Sequence, residues 1–111
     1  MPDTEDFSAR QLESAVEGLR VIAHPVRLSV LCQLADGDKN VRELQAGTGA
    51  TQSNLSQHLA KLRLLGLVNY ERRSQHIYYR LADPVFMRII EALKDVYCGA
   101  PTRPSKEDPT P

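Results

Sequence analysis

Residues 40–66 read NVRELQAGTGATQSNLSQHLAKLRLLG, and the fold follows from this stretch. Asn40 and Glu43 are spaced as a capping box, in which each side chain satisfies a backbone N–H at the start of a helix. That helix carries Leu44 and Ala46 and is broken by Gly47-Thr48-Gly49. Thr51 caps a second helix. Leu55, Leu59, Leu62 and Leu65 recur along it at three- and four-residue spacing, which predicts a buried stripe, and Gly66 closes it. A short helix, a glycine-containing turn and a longer helix make the layout of a helix-turn-helix.

The flanking segments extend this unit. Upstream, Ser8 and Gln11 form another capping box, followed by Leu12, Val16, Leu19 and Ile22-Ala23 at helical spacing. Pro25 suits the first position of a further helix, with Val26, Leu28, Leu31, Cys32 and Ala35 marking its apolar face and Gly37 ending it. Downstream, Val68, Tyr70 and Arg72 alternate with Asn69, Glu71 and Arg73, and Ile77, Tyr79 and Leu81 alternate with Tyr78 and Arg80. The two runs, joined by Arg73-Ser74-Gln75-His76, predict a two-stranded hairpin. Asp83-Pro84 starts a last helix whose stripe is Phe86, Ile89-Ile90, Leu93 and Val96-Tyr97, with Gly99 ending it. The expected architecture is therefore mainly α, about five helices with a β-hairpin wing. Residues 8–99 form the domain, 1–7 a flexible N-terminus and the proline-rich residues 100–111 a disordered tail.

At 111 residues the chain has room for one domain and one modest core. With 41% apolar and 25% charged residues it reads as an ordinary soluble globule. No apolar stretch approaches the ~20 residues of a membrane span, and the acidic start lacks the hydrophobic region of a secretory signal. The expected compartment is the cytoplasm. The formal net charge is zero, but residues 51–80 carry Lys61, Arg63, Arg72, Arg73 and Arg80 against Glu71 alone. That basic segment suits a phosphate backbone, although a solvated surface has the same composition. No glycine-rich phosphate loop, nucleophile motif or convincing carboxylate pair is present, so an enzyme is not expected.

The helix after Thr51 separates its chemistry. Gln52, Ser53, Ser56, Gln57 and Ala60 fall together, away from the leucines. Gln can bond adenine in a bidentate way and Ser is more tolerant, so Gln52, Ser53, Ser56 and Gln57 are candidate base contacts in a major groove. Lys61 and Arg63 can grip phosphates beside it, and Arg72, Arg73 and Gln75 at the hairpin suit backbone or minor-groove contact. A polar helix by itself favours a plain solvent face. The complete order of turn, polar helix and basic hairpin favours double-stranded DNA over a winged-helix module that binds only protein.

The chain resembles the ArsR/SmtB family of winged-helix repressors from about residue 10 to residue 98. The resemblance is carried by His24-Pro25-Val26-Arg27, by Val41-Arg42-Glu43-Leu44 and by Thr51 through Leu59. It continues through Leu62-Arg63-Leu64-Leu65-Gly66-Leu67-Val68 and Ile77-Tyr78-Tyr79-Arg80-Leu81. It implies a homodimer packed through the first and last helices, which represses a nearby operon until an inducer releases the DNA. Such a dimer reads an inverted repeat with half-sites ~34–36 Å apart or a multiple of that. The family's arsenic-type site needs a close Cys-x-Cys pair, which is absent. Its zinc-type site needs a histidine after Asp83 on the last helix, and residues 84–98 have none. His24, His58 and His76 are scattered, so neither a metal nor a cofactor is expected.

Cys32 and Cys98 remain. On residue chemistry alone they read as a core cysteine and an incidental one. Their positions, one in the second helix and one near the end of the last, resemble the sulfide- and persulfide-responsive branch of the family. The resemblance implies that Cys32 and Cys98 become linked within one subunit by reactive sulfur species. Peroxide, arsenite or a soft metal acting on the same thiols is the alternative. In the chain-entropy model a link closing a loop of this length is worth about 4 kcal/mol before strain. Allosteric coupling needs only ~1–3 kcal/mol.

Overall fold

Helix starts in this chain are written by side chains that take up otherwise unpaired N–H groups. Ser8 Oγ accepts from the Gln11 backbone N–H while Gln11 accepts from that of Ser8, which opens α1 (Ala9–Ile22). His24 Nδ1 accepts from the Val26 N–H, and Pro25 then leads α2 (Pro25–Ala35). Asn40 and Glu43 close the reciprocal box that starts α3 (Val41–Thr48). Thr51 Oγ1 accepts from the Asn54 N–H at the start of α4 (Gln52–Leu64). Asp83 Oδ1 accepts from both the Val85 and Phe86 N–H groups at the start of α5 (Pro84–Tyr97). The computed structural model describes residues 8–97. Cys98, the Gly99 helix end and the expected terminal segments 1–7 and 100–111 lie outside the described residues.

The sheet has three antiparallel strands, one more than the expected hairpin. Lys39–Asn40 (β1), Val68–Arg73 (β2) and His76–Leu81 (β3) lie in the order β1-β3-β2. Lys39 and Asn40 pair with Tyr79 and Tyr78, so the residues that lead into the helix-turn-helix are stitched to the wing. Two residues are too few for alternation to show, and Asn40 carries the stronger helix-cap signal. In the hairpin Tyr70 faces Tyr79 and Glu71 faces Tyr78, with Ser74 taking a positive φ of 58° in the two-residue loop.

Leu55, Leu59 and Leu62 of α4 are buried as expected. Leu65 is not, being 50% exposed. It stands about 90° round the helix from the other three on a 3.6-residue turn, and it is the C-cap residue rather than part of the last turn. The core is completed by Leu44, Val68, Ile22, Phe86, Ile90 and the α2 residues Val30, Leu31 and Leu34. The expected α2 face is thereby corrected. Val26, Leu28, Cys32 and Ala35 are half-buried against the core, whereas Val30 and Leu34 complete its centre. Val30, Leu31 and Leu34 fall within about 100° of one another on the helix, and the packing of α2 against α1, α3, α4, α5 and β3 half-buries the residues on its other sides. Gly47 lies inside α3 rather than after it. The Gln33 amide occupies the space a Cβ there would fill, and the left-handed Gly49 (φ 75°) makes the stop.

His24 and His58 join the start of α2 to α4, with ring centroids 4.3 Å apart. Burial first, then the nearby His24, Arg27 and Lys61, lowers the His58 pKa below the ordinary 6.5. The folded state thus favours the neutral ring. Its contribution to stability is complete above 6.5, and it is lost as the pH falls from there through the lower folded value. The thermal midpoint is expected to drop as pH falls below 6.5, and His58→Gln to flatten that drop; an unchanged slope in the variant would assign the acid sensitivity elsewhere. Thr51→Ala removes the α4 cap and should lower unfolding free energy by about 1 kcal/mol in a denaturant titration, with Thr51→Ser restoring most of it.

Candidate nucleic-acid interface

The leucine stripe sets the rotation of α4, and that rotation puts Gln52, Ser53, Ser56, Gln57 and Ala60 in solvent. All five are exposed and occupy one continuous arc. Lys61 and Arg63 are exposed on the following turn. The structure therefore brings the four candidate base-reading residues together on one helix face.

The wing divides its charges between two faces. Tyr70 and Tyr79 stand opposite each other across the strands with ring centroids 5.7 Å apart. Arg63 of α4 lies 4.6 Å over the Tyr70 ring, so this face of the hairpin turns toward the recognition helix. Burial raises the Tyr79 phenol above its ordinary range, which keeps it a neutral hydrogen-bonding group. By strand alternation Arg72 shares this face, and no carboxylate pairs with it among the described residues. Exposed Gln75 sits in the loop beyond it.

The opposite face is neutralised. Arg73 pairs with Asp38 and, at 3.5 Å, with Glu71, and its guanidinium lies 4.7 Å over the Tyr78 ring. Arg80 pairs with Glu71 and reaches Asp38 at 3.9 Å. Two arginines and two carboxylates thus close a network that ties the wing to the turn before β1. The basic segment of the sequence is divided accordingly. Arg73 and Arg80 are held internally, Arg63 is braced by an aromatic ring, and Lys61 and Arg72 face solvent without a carboxylate among the described residues.

Two features escape a reading of the sequence. Arg42, exposed in the first turn of α3, lines a notch with Gln75 and His76 of the wing tip. Only the β1–β3 pairing brings these segments together. Asp38 braces the wing from 35 residues away, and nothing in its local sequence marks it. Glu71, by contrast, carries a signal, because it is two residues from Arg73 and shares its strand face.

The thiols are placed only in part. Cys32 is half-buried on α2, packed against the core, and α2 in turn packs on α5. Cys98 follows Tyr97 in the chain and is outside the described residues. No group of three or more His, Cys, Asp or Glu suited to a metal ion occurs among the described residues. None of the described helices is long and apolar enough to cross a membrane.

Residues 24–70 match the family model described as "Bacterial regulatory protein, arsR family". The chain is 44% identical to the biofilm growth-associated repressor of Agrobacterium fabrum, over 73% of this chain and 69% of that protein. It is 42% identical to the transcriptional activator HlyU of Vibrio cholerae, over 78% of this chain and 80% of that one. The reduced form of HlyU superposes with a TM-score of 0.76 at 39% identity, covering 80% of this chain and 94% of HlyU. The transcriptional repressor BigR of Xylella fastidiosa superposes with a TM-score of 0.78 at 33% identity, covering 88% of this chain and 99% of BigR. A polar helix face beside a wing, on a fold shared with these regulators at this level of identity, assigns the chain: it belongs to the arsR family of bacterial regulatory proteins and is a transcriptional regulator, not an enzyme.

Proposed function

We propose that the protein is a homodimeric DNA-binding repressor whose Cys32 and Cys98 respond to reactive sulfur. The observation that carries the DNA reading is the alignment of α4 and the wing. The hydrogen-bonding arc of α4 and the uncompensated Arg72 lie on the same side, so a duplex seated on one meets the other. Gln52, Ser53, Ser56 and Gln57 are assigned to base edges, and Lys61, Arg63, Arg72 and Gln75 to phosphates and the minor groove. Arg73 serves the same surface by bracing the wing, and it reaches DNA only by giving up Asp38 and Glu71.

The homodimer is supported by apolar surface that the protomer leaves in water. Leu12, Val16 and Leu19 form one exposed stripe on α1. Val85, Ile89 and Val96 form another on α5, with Tyr97 80% exposed beside it. Stripes of this kind at helical spacing mark a partner surface. A two-fold axis through them would set two α4 helices against an inverted repeat.

Reactive-sulfur sensing is supported by Cys32 on α2, by the packing of α2 on α5 and by the position of Cys98 just after α5. One cysteine thiolate attacks the sulfane sulfur of a persulfide RSSH, and RSH leaves. The resulting cysteine persulfide is attacked by the second thiolate, which forms the disulfide and releases hydrogen sulfide. In total, RSSH and two thiols give one disulfide, RSH and hydrogen sulfide, so the persulfide is the oxidant. Further persulfide inserts sulfur atoms and relaxes the ~7 Å limit on Cα separation. The relatives from Agrobacterium fabrum and Xylella fastidiosa carry the name repressor and HlyU of Vibrio cholerae the name activator; the former support repression as the direction of regulation here.

Three outcomes test this reading. A duplex selected from a random pool should contain an inverted repeat, and affinity measured by fluorescence anisotropy should fall steeply with salt. Arg72→Ala should reduce the salt slope by about 1 while leaving sequence preference intact; binding indifferent to salt would leave only a protein-binding module. Val16→Asp combined with Ile89→Asp should give monomers in sedimentation and lose operator binding, and a dimer that persists would place the interface elsewhere. Cys98→Ser should bind the operator normally yet resist release by a low-molecular-weight persulfide. Normal release from that variant would refute the thiol mechanism.

A further inference from the structure

α1 has two faces with different environments. Leu12, Val16 and Leu19 point away from the protomer. Ser14, Gly18 and Val21, on the other side of the helix, line a cleft of about 520 Å³ that α1 shares with the start of α2, the end of α4 and the start of α5. Its apolar wall comes from Val21, Leu65, Leu67 and Phe86. Leu65 is the leucine that the α4 stripe leaves half exposed, and the wall of this cleft is where it goes.

The charges around the cleft are unevenly satisfied. Glu17 pairs with Arg20 at 3.2 Å. Asp83 is committed to the N–H groups of Val85 and Phe86. Arg27 donates its Nε–H to the Val21 carbonyl at 2.9 Å, but neither Arg27 nor Lys61 pairs with a carboxylate among the described residues, and both line the cleft. Both also contribute to the electrostatic environment of His58. Arg27 and Lys61 therefore line the cleft as cations with no carboxylate in ion-pair contact among the described residues, beside the Glu17–Arg20 pair and the N-cap Asp83.

Gly18 supplies an independent observation. A glycine in a helix interior weakens the helix relative to alanine. Packing does not require it here, since a Cβ at Gly18 would meet only Phe86 Cε1, at an ordinary 3.9 Å. What its missing side chain does is leave the cleft open.

We propose that this cleft is a binding site for a small amphipathic carboxylate, its apolar body against Val21, Leu65, Leu67 and Phe86 and its carboxylate at Arg27 and Lys61. The volume lies in the range of small-ligand sites, and an apolar hollow with a few convergent charges is their usual construction. The site is separate from the thiols, and its occupancy is read without DNA.

The test titrates octanoate, with 1-octanol as the uncharged control, into the isotopically labelled full chain and follows amide shifts by NMR. Octanoate should give saturable shifts at Gly18, Val21, Leu67 and Phe86 with a Kd at or below about 1 mM, and 1-octanol should bind at least about tenfold more weakly. Gly18→Leu fills the cleft and should abolish these shifts. Lys61→Gln, on the solvent side of α4, should weaken octanoate but not 1-octanol. Equal binding of acid and alcohol, shifts confined to the outer faces of α1 and α5, or undiminished binding to a folded Gly18→Leu variant would overturn the site.

Discussion

The rotation of α4 about its own axis is the constraint on which the functional surface depends. Leu55, Leu59 and Leu62 fix it by burying their side chains against the core, two of them completely. A helix can be turned by one residue only by moving such a stripe into water, and each leucine side chain so exposed costs roughly 1.5–3 kcal/mol. With the leucines fixed, Gln52, Ser53, Ser56 and Gln57 have no freedom to face anywhere but outward. The polar face needs no interaction of its own to be held in place, which leaves its hydrogen-bonding capacity available for a partner.

The wing is positioned differently. A two-stranded hairpin is marginal in water, and this one exposes most of β2. Support comes from β1, from the Arg63–Tyr70–Tyr79 stack on one face and from the Asp38, Glu71, Arg73 and Arg80 network on the other. The ion pairs lie at the surface and are partly exposed, so solvent screens them and each is worth little in stability. Their effect is on charge distribution. They cancel two arginines on one face and leave Arg72 as the charge on the face that α4 shares.

The fold was legible in the sequence because its signals are local. Ser8, Asn40, Thr51 and Asp83 are each read within three residues, and each caps the helix it announces. The errors arise where tertiary context decides. β1 is two residues long and defined only by its pairing with β3. Leu65 obeys the three-residue spacing but falls where the helix ends. Val30 and Leu34 share one helical face with Val26 and Leu31, a spacing the sequence carries, while the further neighbours of α2 half-bury Leu28, Cys32 and Ala35 and blur that face. Of the candidate site, the α4 face was readable from spacing. The opposite faces of Arg72 and Arg73 follow from strand alternation, but the full neutralisation of Arg73 was not readable, since it also depends on Asp38, a residue distant in sequence.

The same centrality of α2 bears on how a chemical event at Cys32 could reach DNA. α2 touches α1, α3, α4, α5 and β3, so a bond that shifts it cannot be absorbed locally in a close-packed interior. Its C-terminal turn presents two carboxylates in succession. Asp36 pairs with Lys94 of α5, and two residues later Asp38 pairs with the wing arginines. One short turn thus connects the helix that carries an outward apolar stripe to the hairpin that carries Arg72. Tethering α2 to the end of α5 would act on both connections at once. The DNA surface needs only to lose the relative placement of α4 and wing, and beside the Arg63–Tyr70 contact that placement rests on ion pairs at the surface and a two-residue strand. A coupling of ~1–3 kcal/mol is of the size such joints can transmit without unfolding the core that holds α4.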